Sequence, residues 1–204
     1  MAERKKKNSG QELQQPVRGI LMAGVGGQGI LRASDILSHA FMASGLDVKK
    51  SEVHGMAQRG GCVTSHVRYG AKVYSPIDRR GNVDILLAFE RLEALRYLDY
   101  LKRDAKVVIN DLALNPPAVN LGEMAYPKDI LSFFTATFPE VKIVKAFELA
   151  RQAGNARAEN TVLLGTLSRW LDIEIPVWER VIKEAFPPQA AEVNLRAFHL
   201  GREA

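Results

Sequence analysis

Along this chain, short apolar runs alternate with stretches in which apolar residues recur every three or four positions. The first kind reads as buried strand and the second as amphipathic helix. Their alternation predicts an α/β fold with a three-layer α/β/α Rossmann-like sheet, largely parallel, followed by C-terminal helices. Residues 17–23 form the first predicted strand. Residues 30–44 form the first helix, striped by Ile30, Leu31, Ala33, Ile36, Leu37, Ala40 and Phe41, with Gly45 as its C-cap. Residues 47–53 read as a second strand, made polar by Lys49 and Lys50. Residues 62–69 alternate between two faces as a strand, and 72–74 are expected to continue it as a hairpin after Gly70.

Further along, 83–89 reads as a buried strand and 90–101 as a helix with Leu92, Leu95, Leu98 and Leu101 on one side. Residues 106–110 follow as a strand, and Asn115-Pro116-Pro117 breaks the chain. A helix is expected to start near Pro127 within 124–138, and 141–147 gives the last strand. Residues 155–171, 176–186 and 189–200 read as three terminal helices, with Pro176 at a helix start, where its missing N–H is harmless.

Charge changes this picture little. The net charge is +5 over 204 residues. Residues 1–7 hold four bases and one acid, so three of those five charges sit in the first seven positions. Residues 1–16 are expected to be a disordered basic tail and 17–204 a single domain. The basic balance is thus largely a tail effect, which weakens a nucleic-acid reading. No apolar run approaches the roughly 18 residues of a membrane span, and the N-terminus lacks a signal-peptide core, so a cytoplasmic location is expected.

The single cysteine, Cys62, cannot form an internal disulfide or supply the four ligands of an iron–sulfur cluster. His39, His54, His66 and His199 show no zinc-binding spacing, so no metal site is expected.

The run Gly24-Val25-Gly26-Gly27-Gln28-Gly29 stands between the first strand and the first helix. It fits G-x-G-x-x-G and sets backbone N–H groups at a positive helix end, where anions bind. A dinucleotide site also needs an acid about 20 residues on, and Glu52 stands 23 after Gly29. A tight turn without any ligand is the competing reading. Gln28 is an unusual resident of such a turn, adding one donor and one acceptor. A second constellation is Ser51-Glu52-Val53-His54-Gly55-Met56-Ala57-Gln58-Arg59-Gly60-Gly61. Its glycines allow close backbone approach, and Arg59 could fork onto a phosphate or carboxylate. The chemistry alone is equally compatible with a polar loop whose Arg59 sits in a salt bridge.

These two motifs, with Ser65-His66-Val67-Arg68 after them, resemble the gamma-type domain of the 2-oxoacid:ferredoxin oxidoreductases. The resemblance extends through Gly154-Asn155-Ala156-Arg157-Ala158-Glu159-Asn160, Leu163-Leu164-Gly165, Phe186-Pro187-Pro188 and Asn194-Leu195, covering about residues 17–202. The second motif is worded as in the indolepyruvate-type branch, whereas the 2-oxoglutarate type carries Pro-Glu-Ala-Arg-Gly-Gly. Cys62 departs from the small residue expected there.

The resemblance implies oxidative decarboxylation of a 2-oxoacid, here an aryl pyruvate, with coenzyme A, giving acyl-CoA, carbon dioxide and reduced ferredoxin. It implies that thiamine diphosphate and the iron–sulfur clusters belong to a large alpha subunit, which hands electrons to ferredoxin. This chain would bind neither alone and would carry no catalytic residue of its own. It would complete a composite site. Candidate contacts to coenzyme A or the partner subunit are Gly24, Gly26, Gly27, Gln28, Gly29, His54, Gly55, Gln58, Arg59, Gly60 and Gly61. A gamma-type subunit for pyruvate or 2-oxoglutarate, an NAD-binding Rossmann protein and a non-catalytic scaffold are the alternatives.

Overall fold

Strand β1 (Arg18–Val25) is the centre of the molecule, with Ile20, Leu21, Met22 and Ala23 fully buried. The computed structural model describes residues 16–54 and 61–204, so most of the basic tail and most of the second motif lie outside the described residues. Helix α1 (Ile30–Ala43) leads to β2 (Asp47–His54), and β3 (Cys62–Gly70) follows. Then come β4 (Val83–Ala88), α2 (Arg91–Arg96), β5 (Leu101–Asn110), α3 (Pro117–Asn120), α4 (Ile130–Thr137) and β6 (Glu140–Val144). The chain closes with α5 (Ala146–Ala153), α6 (Glu159–Ser168), α7 (Ile175–Ala185) and α8 (Pro188–Glu203).

The six strands lie in the order β2-β3-β1-β4-β5-β6. β1, β4, β5 and β6 pair in parallel, whereas β3 runs antiparallel to both β1 and β2. Parallel strands covered on both faces read as unbroken apolar runs, which is why 17–23 and 83–89 stand out in the sequence. Alternate residues of β1 serve opposite faces. Ile20 and Met22 join a core with α1, α5, α6, α7 and α8. Leu21 and Ala23 join a second core with α2 and α4. The expected three layers and largely parallel sheet are therefore present.

Four local expectations fail, each for a physical reason. Residues 90–101 are not one helix: α2 ends at Arg96, a 3-10 turn spans Leu98–Tyr100, and Leu101 already belongs to β5 opposite Val83. The leucine spacing follows one buried core through three kinds of backbone. Residues 72–74 form no strand. Val73 is buried and its N–H donates to Asp47 Oδ2 at 2.9 Å, so the segment folds back as a plug. The last strand stops at Val144, and residues 146–153 are helical. Their buried alanines, Ala146, Ala150 and Ala153, form a stripe that the neighbouring Phe147 obscures in the sequence. Finally, Pro117 opens the short α3 instead of merely interrupting the chain.

The terminal helices pack unusually closely. A Cβ on Gly165 of α6 would lie 2.1 Å from the Phe198 carbonyl oxygen, and one on Gly201 of α8 would lie 1.9 Å from that of Val162. Only glycine permits this backbone-to-backbone approach. No helix among the described residues is long and apolar enough to cross a membrane.

Candidate functional site

From β1 the chain turns toward β2 and β3. From β4 it turns toward β5 and β6. The C-terminal ends of β1 and β4 therefore flank the crevice where open α/β sheets receive ligands. The glycine turn sits at that crevice. Gly27 and Gly29 adopt φ of 104° and 77°, the left-handed region, and Gly29 caps α1 without a side-chain bond. The first turn of α1 contains no acid, leaving the positive end of its dipole uncompensated there.

Gln28 holds this turn. Its Oε1 accepts from the Val25 N–H at 2.6 Å, and its Nε2 donates to the Phe89 carbonyl at 2.9 Å, just beyond β4. Gly24 is confined by that clamp: a Cβ there would lie 2.6 Å from Gln28 Oε1 and 2.7 Å from the Phe89 Cβ. The Gly26 N–H donates to the Gly61 carbonyl at 2.8 Å, joining the first motif to the end of the second. Asn160 donates from Nδ2 to the Gly29 carbonyl at 3.3 Å. The structure thus gathers Gly24, Gly26, Gly27, Gln28, Gly29 and Gly61 beside Asn160 of the third stretch. The backbone of His54 ends β2 opposite Val63. The His54 side chain and Gly55, Gln58, Arg59 and Gly60 lie outside the described residues.

A cleft of about 390 Å³ opens on the turn, with Gly27, Gln28 and Gly29 on one wall, Leu112 and Leu114 on another, Arg157 in the 3-10 turn before α6 and Glu159 at the start of α6. Burial raises the Glu159 carboxyl above the usual range, partly offset by the Asn110 amide 3.4 Å away. Asn110 is the residue that sequence reasoning missed. Its Nδ2 donates to the Phe89 carbonyl at 3.2 Å and its Oδ1 accepts from the Ala146 N–H at 3.2 Å, joining β4, β5 and α5 behind the cleft. The available signal was a polar residue ending an apolar parallel strand.

The dinucleotide reading loses its acid. Glu52 lies on β2, and antiparallel β3 separates that strand from β1, so Glu52 stands two strand spacings, roughly 10 Å, from the line of the turn. Its carboxylate meets Lys50 Nζ at 2.6 Å.

On the opposite face of the sheet, the Cys62 thiol donates to Glu93 Oε2 at 2.9 Å, with the Tyr97 hydroxyl 3.0 Å away. Burial and then the Glu93 carboxylate push this thiol up to about 11. Cys62 is therefore a protonated hydrogen-bond donor at neutral pH, not a nucleophile.

Residues 19–204 match the family described as pyruvate ferredoxin/flavodoxin oxidoreductase. The chain belongs to this family. Among relatives of this oxidoreductase chain, the indolepyruvate oxidoreductase subunit IorB of Thermococcus kodakarensis is 40% identical over 195 residues, covering 91% of this chain and 94% of that one. The protein of the same name from Pyrococcus horikoshii is 38% identical over 190 residues, covering 91% and 94%. In fold, the chain is similar to the gamma subunit of a keto/oxoacid ferredoxin oxidoreductase from Geobacter sulfurreducens. That likeness has a TM-score of 0.68 at 22% identity and covers 91% of this chain and 96% of that one. The family resemblance read from the glycine motifs and the expected fold both hold, and the class is that of an oxidoreductase subunit.

Proposed function

We propose that this chain is the small subunit of an indolepyruvate:ferredoxin oxidoreductase. With a large partner subunit it would convert aryl pyruvates and coenzyme A to aryl-acetyl-CoA, carbon dioxide and reduced ferredoxin, in the cytoplasm. The observation that supports this reading is the hydrogen bond from Gly26 to Gly61, which ties the glycine turn to the last residue of the second motif. The identity to two proteins named as indolepyruvate oxidoreductase subunits supports the choice of branch.

The residues also fit a subunit that borrows its redox chemistry. One thiol cannot ligate a cluster that takes four, so the clusters would belong to the partner, together with thiamine diphosphate. That cofactor supplies the carbanion chemistry of decarboxylation when bound. The contribution of this chain is to bind and orient coenzyme A. Gly24 and Gln28 hold the turn in shape. Gly27 has open space where a Cβ would stand, so an anion can reach its backbone directly. The uncompensated end of α1 and Arg157 on the cleft wall favour a phosphate there. His54, Gly55, Gln58, Arg59 and Gly60 are the further candidates for contact with coenzyme A or the large subunit, on the strength of the second motif's sequence.

Co-expression with and without the large subunit tests the assignment: indolepyruvate oxidation should require both chains. In the pair, Arg59→Ala should raise KM for coenzyme A about tenfold with the fold intact. Unchanged KM and rate would remove Arg59 from the site. Calorimetric titration of NAD into the isolated chain should show no binding, and tight binding would replace this reading with a dinucleotide one. A kcat/KM favouring pyruvate or 2-oxoglutarate over indolepyruvate would move the enzyme to another branch.

A further inference from the structure

The first residues of the second motif do not reach the cleft. Ser51, Glu52 and Val53 lie on β2, the edge of the sheet, eight residues long and paired with β3 without a break from Asp47–Gly70 to His54–Val63. Its outer side pairs with no strand among the described residues. The opposite edge, β6, has only five residues. Natural edges are protected by brevity, proline, bulges or charge, and β2 carries only charge, in Lys49, Lys50 and Glu52.

Among registers that overlap at least five residues of β2, that charge pattern is complementary to itself in one; centring on Val48 would oppose Asp47 to Lys49 but would overlap only three residues. In an antiparallel pair of identical strands, directly opposed residues share a face, so a two-fold axis perpendicular to the sheet must set one residue against its own copy. Centring on Lys49, Lys50 or Glu52 opposes like charges at the axis. Centring on Ser51 places small hydroxyls there and sets Lys50 of each copy against Glu52 of the other. Lys50 and Glu52 already lie along one face, 2.6 Å apart and each 25% exposed, beside Asp35 of α1, which also contacts Lys50. On the other face the same register lays the aliphatic stem of Lys49 against Val53 of the second copy, a valine 58% exposed in the single chain.

We propose that β2 is a dimerisation edge: two copies of this chain join their β2 strands antiparallel about an axis through Ser51, making one continuous twelve-stranded sheet. The occupant is a second copy because the complementarity is between β2 and itself.

Cross-linking of the full-length chain tests the register. In a Cys62→Ser background, Ser51→Cys places two thiols directly opposite each other, at a Cβ separation of about 4.5–5.5 Å that a small adjustment converts to a disulfide. Lys49→Cys sets them about 14 Å apart along the strands. Air oxidation should link the Ser51→Cys variant into covalent dimers and leave the Lys49→Cys variant without a cross-link. By sedimentation the unmodified chain should dimerise, Lys50→Glu should weaken the dimer at least tenfold, and Lys50→Glu with Glu52→Lys should recover it. Circular dichroism should show all variants folded. A chain monomeric at about 100 µM, well above the micromolar range of ordinary specific association, would overturn the proposal. So would equal cross-linking at both positions, or a complex in which the thiol of the Ser51→Cys variant is linked only to the large subunit.

Discussion

The two faces of the sheet are held by different means. On one, α1 and the helices from α5 onward share a continuous apolar core that includes fully buried Trp178 and Phe198, and α6 and α8 touch backbone to backbone at Gly165 and Gly201. On the other, α2 and α4 are short and the chain between β5 and α4 is tied down by backbone bonds, the Arg91–Asp111 pair and one buried carboxylate. Glu90 accepts from the Glu93 N–H at 2.9 Å, the Leu114 N–H at 3.0 Å and the Tyr126 hydroxyl at 2.5 Å. Packing makes the first face a rigid mount for the glycine turn. The second face holds a wall of the cleft, Leu112 and Leu114, by polar bonds that can be cut one at a time.

The largest test of this contrast is Gly201→Val. Its side chain would enter the backbone of α6, so unfolding in denaturant should show a loss of about 3 kcal/mol or a failure to fold. A loss below about 1 kcal/mol would mean that the packed face yields as easily as the other. Glu90→Ala should cost about 1–3 kcal/mol by leaving its donors unpaired, and the damage should stay local. Hydrogen exchange should quicken at the Glu93 and Leu114 amides while those of α6 and α8 keep their protection. Uniform quickening would erase the distinction.

The smallest effect concerns Cys62, also on the polar-held face. Its thiol, raised from an ordinary 9.0 to about 11, stays protonated in the folded chain where the unfolded chain has already released its proton. Its contribution to stability is whole below pH 9.0 and falls away as pH rises from 9.0 to about 11. Alkylation by iodoacetamide should accelerate over that same range. A rate already at its plateau by pH 9.0 would contradict the Cys62–Glu93 contact.

The packed face was the more legible in sequence. Unbroken apolar strands and the α1 stripe survive translation into structure because burial itself selects those patterns. The polar-held face was less legible because Leu92, Leu95, Leu98 and Leu101 follow a core through helix, 3-10 turn and strand, which a single period cannot describe. The glycine turn was visible, but the task of Gln28 was not. Its amide reaches Phe89, a position 61 residues away, while also gripping Val25, and only the sheet brings these groups together. Asn110 was hidden for the same reason.

The place of β1 in the strand order also has a consequence for synthesis. The strand that becomes the centre of the sheet is made before either neighbour, and β4 begins only at Val83. At typical elongation rates the stretch between them takes roughly 3–12 s, during which the run Ile20-Leu21-Met22-Ala23 has at most one sheet neighbour, β3. The cationic run Arg4-Lys5-Lys6-Lys7 precedes it in the chain. Like charges on neighbouring nascent chains repel, and charge near an apolar segment works against its association before the sheet is complete.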